Sequence, residues 1–428
     1  MNYQEALDFL YSQLPIFQRQ GKTAFNKSLD KTKTLCAALG DPEKQLKFIH
    51  VAGTNGKGSV CHSLASVFKT AGYKTGLYTS PHLQDFRERI QINGVYIETD
   101  FVAEFVTQHQ GLIGELKPSF FELTFALSLS YFSAEKTDIV LMETGMGGRL
   151  DSTNVIMPEL SIITSIGLDH CDYLGDTLEK IALEKAGIIK PKTPVIIGNI
   201  DTALNSVFSE VARKNKAPII FSNGEIQAIG HSPCLFTAGE DTLFKCNLPL
   251  KVDCQIENVL TSYLAFRELR QNWNLSQEDF VTGVEEMQQN FPLKGRWQTL
   301  QNKPKIIADV GHNEDGIQTI LHQLTQENYS KLHLVFGMVN DKDVSILDLL
   351  PTDAEIHICQ ANVPRALAID ELEKAFDQKN RSVASKSATV SMAISKALVE
   401  LDQSDLLLIC GSLFVVAEAL DYFDALPN

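Results

Sequence analysis

The sequence contains no long apolar run and no N-terminal leader. No uninterrupted apolar stretch reaches the ~18 residues that a helix needs to cross a bilayer. The first residues, MNYQEALDFLYSQL, have no basic segment followed by an apolar one, so the pattern is not that of a secretory signal. We therefore predict a cytoplasmic protein without a membrane partner.

A cysteine metal motif and a surplus of basic charge are also missing. The eight cysteines are scattered and none forms a C-x-x-C pair, which argues against a cysteine zinc site and for reduced thiols. With 38 Lys and Arg against 53 Asp and Glu, the formal charge is −15, which opposes nonspecific binding of nucleic acid. Phosphate ligands are still compatible with this charge, because backbone amides bind them locally.

The 428 residues exceed one ordinary core, and their pattern predicts an α/β protein of two domains. Short β-branched runs alternate with helical patterns, and the spacing allows crossover helices, so we expect mainly parallel sheets. Pro292 and Gly295 interrupt both periodicities, which places the boundary between a domain of residues 1–294 and a smaller one of 295–428. A turn-rich stretch at 222–250 predicts a small β subregion. The predicted strands are 47–53, 74–80, 138–144, 160–167, 194–198 and 217–221, then 304–311, 331–337, 354–360 and 405–411.

The segment FIHVAGTNGKGSVCHSLASVF places three glycines around Lys57, where a predicted strand becomes a helix. Such a loop directs several backbone N–H groups and the positive end of a helix dipole at one point, which favours a phosphate. Lys57 and Ser59 would then contact phosphate or metal. A tight βα turn with an incidental lysine is the alternative. A GTPase switch would need N-K-x-D, but the nearest match, NDKD at 340–343, has its lysine one place too late.

Polar residues follow three other predicted strands of the first domain. Ser80 precedes Pro81 after the second strand, Glu143 ends the third, and His170 lies past the end of the fourth. Ligands of parallel α/β folds collect at the carboxyl ends of strands, and oxygen donors suit Mg²⁺. A solvated strand end for Glu143, and a core or capping role for His170, are the alternatives.

One lysine occupies a position where the helical pattern expects an apolar residue. In GDTLEKIALEKAGIIK, Lys185 shares one helix face with Leu178, Ile181, Ala182 and Ala186. The helix pattern alone favours a lysine that extends to the solvent. A desolvated lysine with a lowered pKa would instead be nucleophilic enough to react with CO₂, and the carbamate would be an anionic oxygen ligand.

Taken together, these motifs resemble those of the folylpolyglutamate synthase/dihydrofolate synthase family of the Mur ligase superfamily. The matching motifs are HVAGTNGKGS, YTSPHL with ERI, FELTFA, ETGMGGRLDSTN, LDHCDYLGDTLEKIALEKAGIIK, GR at 295–296 and DVGHNEDG, in that order. The resemblance implies an N-terminal P-loop ATP-binding domain with a mainly parallel sheet, a smaller C-terminal Rossmann-like α/β domain and a monomer. It also implies two Mg²⁺ sites. A peptidoglycan ligase would carry a UDP-substrate domain before the glycine loop, and that loop begins within the first ~55 residues here.

The resemblance assigns roles position by position. It implies ATP binding by Asn55, Gly56, Lys57, Gly58, Ser59, Asn258, Arg296 and Asp309, and metal binding by Ser80, Glu143, His170 and Lys185. It implies catalytic roles for Lys57, for a carbamylated Lys185 and for His312, and a folate or pterin pocket at Phe121, Glu122, Leu123, Thr124, Leu150, Asp151 and Ser152. The usual D-x-A-H-N-P reads D-V-G-H-N-E here, Thr144 replaces a common valine, and KTAFNKSLDKTKTL at 22–35 matches loosely.

The activity implied is an ATP-dependent ligation of L-glutamate through an acyl phosphate. The acceptors would be tetrahydrofolate polyglutamates and 7,8-dihydropteroate. A monofunctional folylpolyglutamate synthase, another Mur-type or cyanophycin-type amino-acid ligase, and a nonenzymatic nucleotide switch are the alternatives.

Overall fold

The computed structural model describes residues 1–14, 28–222, 224, 226–230, 233–250, 252–340 and 342–426. The chain divides into two compact units, Met1–His82 with Arg87–Leu293, and Leu83–Phe86 with Lys294–Asn428. Across the described ranges, no helix is both long and apolar enough to cross a lipid bilayer. Both units are mixed α/β, as the sequence predicts.

The first unit contains an eight-stranded sheet in the order β4-β3-β2-β5-β1-β6-β7-β8. Its strands are β1 (Phe48–Ala52), β2 (Thr75–Tyr78), β3 (Ile90–Ile92), β4 (Val95–Tyr96), β5 (Ile139–Glu143), β6 (Leu160–Ile163), β7 (Val195–Ile197) and β8 (Ile219–Phe221). Six neighbouring strands pair in parallel, in the order β2, β5, β1, β6, β7 and β8. The strands β3 and β4 pair antiparallel at one edge.

Helices cover both faces of this sheet, so β1 and its neighbours are buried on both sides. Ile49 and Val51 belong to one core cluster and Ala52 to another, as the period of two along a strand requires. The helices of this unit are α1 (Tyr3–Gln13), α2 (Asp30–Ala38), α3 (Lys57–Thr70), α4 (Thr99–Leu116), α5 (Phe120–Ala134), α6 (Cys171–Leu174), α7 (Leu178–Ala186), α8 (Asn205–Asn215), α9 (Cys254–Leu269), α10 (Gln277–Glu285) and α11 (Met287–Asn290).

The turn-rich stretch forms the small β subregion that its composition predicts. It is a three-stranded antiparallel sheet of β9 (Gln227–Ile229), β10 (Cys234–Ala238) and β11 (Asp241–Cys246). Phe236 and Phe244 stack at 4.4 Å between ring centroids and join the core that contains Ile49 and Val51.

The second unit is built on a six-stranded sheet in the order β12-β13-β17-β14-β15-β16. Only β12 pairs antiparallel; the other neighbours are parallel. Its elements are β12 (Gln298–Asn302), β13 (Lys305–Ala308), α12 (Glu314–Leu324), β14 (Leu332–Phe336), β15 (Glu355–Cys359), α13 (Ile369–Gln378), β16 (Ser385–Ser387), α14 (Val390–Glu400), β17 (Leu406–Cys410) and α15 (Leu413–Asp424).

All ten predicted strands are present, each shorter than its predicted range. The strands that the sequence did not indicate lie at a sheet edge or next to one: β3 and β4 in the first unit, β12 and β16 in the second; β3 is buried but only three residues long. They lack the continuous apolar pattern of a central strand, since β12 reads QTLQN and β16 reads SKS. Edge strands need to bury little, so periodicity does not reveal them.

Candidate functional site

The predicted site residues of the first unit follow four strands that are neighbours in its sheet. The order β2-β5-β1-β6 is parallel throughout, so the carboxyl ends of these strands share one edge. Ser80 lies two residues after β2, Glu143 ends β5, the glycine loop follows β1, and His170 follows β6. Sheet topology therefore brings residues 90 positions apart in the chain to one edge, as the sequence predicts.

The glycine loop connects β1 to α3 with close backbone approach. Gly56 is the N-cap of α3 and has φ 84°, the left-handed region that side chains other than glycine's rarely adopt. A Cβ on Gly56 would lie 2.4 Å from Oδ1 of Asn258, so the amide of Asn258 contacts the loop directly. The N–H groups of the first turn of α3, starting at Lys57, have no partner within the helix and are suited to an anion.

Thr164 and Ser165, the two residues that directly follow β6, brace this loop. The sequence patterns did not indicate either of them. The Asn55 carbonyl oxygen accepts from Thr164 Oγ1 at 2.6 Å and from Ser165 Oγ at 3.0 Å, and the Asn55 N–H donates to Ser165 Oγ at 2.9 Å. Thr54 is held similarly, because its hydroxyl donates to the Gly167 carbonyl at 3.1 Å. These pairs are more than a hundred residues apart, so no local pattern indicates them.

Two lysines converge on one carbonyl oxygen in the loop. Lys57 Nζ donates to the Gly53 and Thr54 carbonyls, both at 3.1 Å, and Lys185 Nζ donates to the same Gly53 oxygen at 2.7 Å. Lys185 is 3% exposed, so it does not extend to the solvent as the helix pattern alone favours. Its burial, reinforced by the positive charge of Lys57, lowers the pKa of Lys185 to about 7; the carboxylates of Asp169 and Asp151 oppose the shift.

The loop after β5 packs against the end of α7 that carries Lys185. The Arg149 N–H donates to the Glu184 carbonyl at 2.8 Å, and the Arg149 guanidinium pairs with the Glu184 carboxylate at 2.7 Å. A Cβ on Gly148 would lie 2.8 Å from the carbonyls of Glu184 and Lys185. Only glycine allows this approach, and the contact fixes the turn of helix from which Lys185 points.

Ser80 and Glu143 are in direct contact. The Ser80 N–H donates to Glu143 Oε2 at 3.1 Å, and Glu143 is 5% exposed. His170 has φ 52° at the start of α6; its N–H donates to Asp169 Oδ1 at 2.8 Å, and its Nε2 lies 3.9 Å from Asp169 Oδ2. The Ser80 hydroxyl and the Glu143 carboxylate offer oxygen ligands of the kind that Mg²⁺ binds. A buried carboxylate is costly without a cation or hydrogen bonds, which agrees with that fit.

Ser59 is held by a glutamine that the sequence did not single out. Gln255, on α9, donates from Nε2 to Ser59 Oγ at 3.1 Å, and both side chains are buried. The other Gln255 amide atom, Oε1, is buried and has no hydrogen-bonding partner among the described residues. Asn258 lies one turn further along the same helix, so α9 contacts the glycine loop at two points.

The four predicted pterin-side residues on α5 have different surroundings. Glu122 caps the helix, accepting from the Ser119 N–H at 2.7 Å, and Leu123 is buried. The Thr124 hydroxyl donates within the helix to the Phe120 carbonyl at 2.6 Å. Phe121 is half-buried, and a Cβ on Gly145 would lie 2.6 Å from its ring. The side chain of Phe121 therefore contacts the loop after β5.

The other predicted pterin-side residues, Leu150, Asp151 and Ser152, lie between β5 and β6. Leu150 and Ser152 are half-buried. Asp151 accepts from the Met146 N–H at 2.8 Å and from the Thr153 hydroxyl at 2.5 Å, and burial raises the pKa of Asp151 despite these bonds. His50 Nε2 lies 2.8 Å from the Thr153 hydroxyl, so this polar network connects the loop to β1.

In the second unit, Arg296 lies two residues before β12, and Asp309 and His312 follow the end of β13. Asp309 accepts from the N–H groups of Trp297 and Gly311, each at 2.8 Å. Burial raises the pKa of Asp309, and the charge of the exposed Arg296 partly offsets this. His312 Nδ1 lies 2.9 Å from the Val310 carbonyl.

The D-V-G-H-N-E variation fits a helix start. Asn313 is the N-cap of α12, accepting from the Gly316 N–H at 2.8 Å, and Glu314 is the first helical residue. Proline is favoured at that position and acidic residues suit the first turn, so either meets the local requirement. The loosely matching segment 22–35 begins outside the described residues, which resume at position 28 with α2 soon after.

Comparison with known proteins assigns the chain to a family. A model of the Mur ligase middle domain matches residues 51–265, and a model of the Mur ligase glutamate ligase domain matches residues 295–413. A dihydrofolate synthase/folylpolyglutamate synthase of Bacillus subtilis is 32% identical over 97% of this chain and 98% of its own length. The chain belongs to the folylpolyglutamate synthase/dihydrofolate synthase family of Mur ligases.

Two further members of this family show how the match extends. A probable bifunctional folylpolyglutamate synthase/dihydropteroate synthase of Haloferax volcanii is 30% identical, and the chain spans about half (50%) of its length. A solved structure of a bifunctional folylpolyglutamate synthase/dihydrofolate synthase, with Mn, AMPPNP and L-glutamate bound, has a TM-score of 0.86. It is 28% identical over 99% of this chain and 98% of its own. The family therefore accounts for both units of the chain.

Proposed function

We propose that the protein is an ATP-dependent ligase that adds L-glutamate to tetrahydrofolate polyglutamates and to 7,8-dihydropteroate. The observation that carries this proposal is the carboxyl edge of β2, β5, β1 and β6, where a phosphate-type loop, two converging lysines and a buried carboxylate occur together. The names of the relatives supply the substrate class.

A carboxylate resists attack by an amine because its leaving group would be oxide. Transfer of the γ-phosphoryl group of ATP to the folate carboxylate makes an acyl phosphate and ADP. The free amine of L-glutamate then attacks the acyl carbon, phosphate leaves, and an amide remains. The protein has to hold the phosphates, neutralise the charge that develops on the transferred group and exclude water.

In this proposal the loop of the first unit binds ATP. The N–H groups of Gly56, Lys57, Gly58 and Ser59 point at the phosphates, and Lys57 supplies a mobile cation after leaving the Gly53 carbonyl. Asn55 and Asn258 hold the loop and approach the nucleotide.

We assign the binding of divalent cations to Ser80, Glu143 and His170. Carbamylated Lys185 would bind the second of two cations. When bound, Mg²⁺ stabilises negative charge on the phosphoryl oxygens. Ser80 and Glu143 orient each other through the 3.1 Å hydrogen bond, so the carboxylate is fixed before any cation arrives. A solved relative has Mn bound, which is consistent with a divalent-cation site at this oxygen-rich pair.

Lys185 is proposed to be carbamylated. A pKa of about 7 leaves a large fraction of its Nζ uncharged at neutral pH, and the nitrogen lone pair then attacks CO₂ and releases one proton. The product replaces a buried cation by a buried anion, which requires a cation beside it. Lys57, which shares the Gly53 carbonyl with Lys185, already provides one positive charge there.

The remaining assignments stay proposals on the strength of the motif match. Arg296 and Asp309 contact the nucleotide, and His312 binds glutamate or assists deprotonation of its amine. Phe121, Leu150, Asp151 and Ser152 would face the pterin, with Glu122, Leu123 and Thr124 shaping α5 behind Phe121. We also propose that the enzyme is a cytoplasmic monomer whose domains are residues 1–294 and 295–428.

The deciding experiment is ADP release by the purified full chain with ATP, Mg²⁺ and L-glutamate, comparing 7,8-dihydropteroate with tetrahydrofolate. We expect turnover with both acceptors and none when glutamate is omitted. Turnover with tetrahydrofolate alone would establish the monofunctional alternative. ADP release that does not depend on either acceptor would contradict the proposal.

A further inference from the structure

Two buried histidines of the second unit have no role in the site described above. His333 is the second residue of β14 and His357 is the middle residue of the parallel strand β15, whereas Asp309 and His312 follow the carboxyl end of β13. Both imidazoles are 0% exposed. They replace apolar residues on a sheet face where Val335 and Cys359 pack against α14.

The facing ring nitrogens of the pair are spaced as ligands of one metal ion would be. His333 Nδ1 and His357 Nε2 are 3.4 Å apart, and the rings are inclined by only 13°. Two ligands about 2.0–2.1 Å from a tetrahedral Zn²⁺ ion lie about 3.3 Å from each other. The nitrogens therefore need no rearrangement of the sheet to share an ion.

The outer ring nitrogen of His357 has a hydrogen-bonding partner, whereas that of His333 has none among the described residues. His357 Nδ1 lies 2.9 Å from Ser385 Oγ, and His333 Nε2 lies 3.6 Å from Asp405 Oδ2, beyond hydrogen-bonding distance. Protons on these outer nitrogens would leave the lone pairs of both inner nitrogens for an ion. A carboxylate or hydroxyl behind a ligating histidine is the usual outer arrangement of a protein metal site.

A third ligand comes from the end of α14. A carboxylate oxygen of Glu400 and one ring nitrogen of each histidine all lie within 4.8 Å of one another. Glu400 is exposed, so its side chain is able to move the remaining distance and an ion is able to enter. The nearby Lys331 ammonium is neutralised by Glu355 at 2.8 Å, which reduces its repulsion of a cation.

We infer that His333, His357 and Glu400 form a binding site for a transition-metal ion, with Zn²⁺ the ion that this ligand set favours. Two imidazoles and one carboxylate suit zinc and leave a position for water. Burial lowers the pKa of both histidines below the usual value, so both are neutral ligands at pH 7. The ion would join β14, β15 and α14, a structural role separate from ligation of glutamate.

The test is a calorimetric titration of the full chain with Zn²⁺, after chelation and dialysis into a buffer that contains Mg²⁺. Millimolar Mg²⁺ keeps oxygen sites such as Glu143 occupied, and a Cys171→Ser, Cys254→Ser background removes the two exposed thiols. We expect one Zn²⁺ per chain at pH 7, and a higher melting temperature when it is bound.

Variants locate the bound ion. Glu400→Gln changes only an exposed side chain and should weaken zinc binding by about tenfold or more, whereas Glu371→Gln, an exposed glutamate of the same unit, should not. His357→Gln should abolish binding, with circular dichroism confirming the fold. Failure to bind Zn²⁺, or equal affinity in the Glu400→Gln and Glu371→Gln proteins, would overturn the inference and leave an ordinary imidazole–imidazole hydrogen bond.

Discussion

At the scale of single residues, burial of Lys185 destabilises the folded state, but it also lowers the pKa of the amine, as the proposed carbamylation requires. Its pKa of about 7 lies below the ordinary 10.5, so between these values the unfolded chain binds more protons than the folded one. Unfolding therefore costs more free energy as the pH rises through that window. We predict that Lys185→Met abolishes ligation while raising the free energy of unfolding at pH 6–7 by on the order of 1–3 kcal/mol.

Urea unfolding across pH 6–11 in CO₂-depleted buffer measures this effect. The gain should shrink as the pH rises from 7 and be lost only above pH 10.5, where the wild-type lysine becomes neutral in the unfolded state as well. Lys44→Met is the control, because Lys44 is 68% exposed and its removal should give no comparable gain. A Lys185→Ala protein should recover part of its activity with short carboxylic acids. Unsupplemented activity at the wild-type level would remove Lys185 from the mechanism.

At the scale of elements, the turn from β1 to α3 depends on Gly56 for two reasons. A larger residue at position 56 would have to adopt an unfavourable φ of 84°. Its Cβ would also lie 2.4 Å from the amide oxygen of Asn258. Gly40 has φ 83° with no atom within 4 Å of an added Cβ, so it carries the first penalty alone. We predict that Gly40→Ala costs about 1–2 kcal/mol of stability with normal turnover, and that Gly56→Ala costs more and raises the KM for ATP. Equal effects on stability and KM would mean that Asn258 does not constrain the loop.

The start of α12 gives a second prediction at this scale. Because Asn313 caps the helix and Glu314 is its first residue, proline should fit in place of Glu314. We expect Glu314→Pro to change the melting temperature little and to keep activity. Gln318→Pro, one turn inside the same helix, should destabilise the protein by about 3 kcal/mol or more. A Glu314→Pro protein as unstable as Gln318→Pro would show that the family motif forms a different turn here.

At the scale of the whole molecule, nucleotide binding should stabilise the chain through the glycine loop. A ligand at about a hundred times its Kd stabilises the folded state by about 2.7 kcal/mol. We predict that Mg²⁺–ATP raises the melting temperature, that GTP does so far less, and that Lys57→Ala removes the response without loss of the fold. Lys44→Ala should respond like the wild type. An undiminished ATP shift in Lys57→Ala would contradict the phosphate-loop assignment.

The sequence by itself determined the α/β class, the ten strands with apolar runs and the positions of Lys57, Glu143 and Lys185. These are set by local patterns: buried β-branched runs, a glycine loop before a helix, and polar residues just after strands. The family motifs added the substrate class, which no local pattern contains.

Only the tertiary structure decided what those residues touch. That Lys185 is buried rather than extended to solvent, and shares a carbonyl oxygen with Lys57, depends on strands far apart in sequence becoming neighbours. Thr164 and Gln255, which brace the loop, and the pair His333 and His357 were likewise invisible. The physical reason is that desolvation and hydrogen bonding depend on distance in space, whereas periodicity records only distance along the chain.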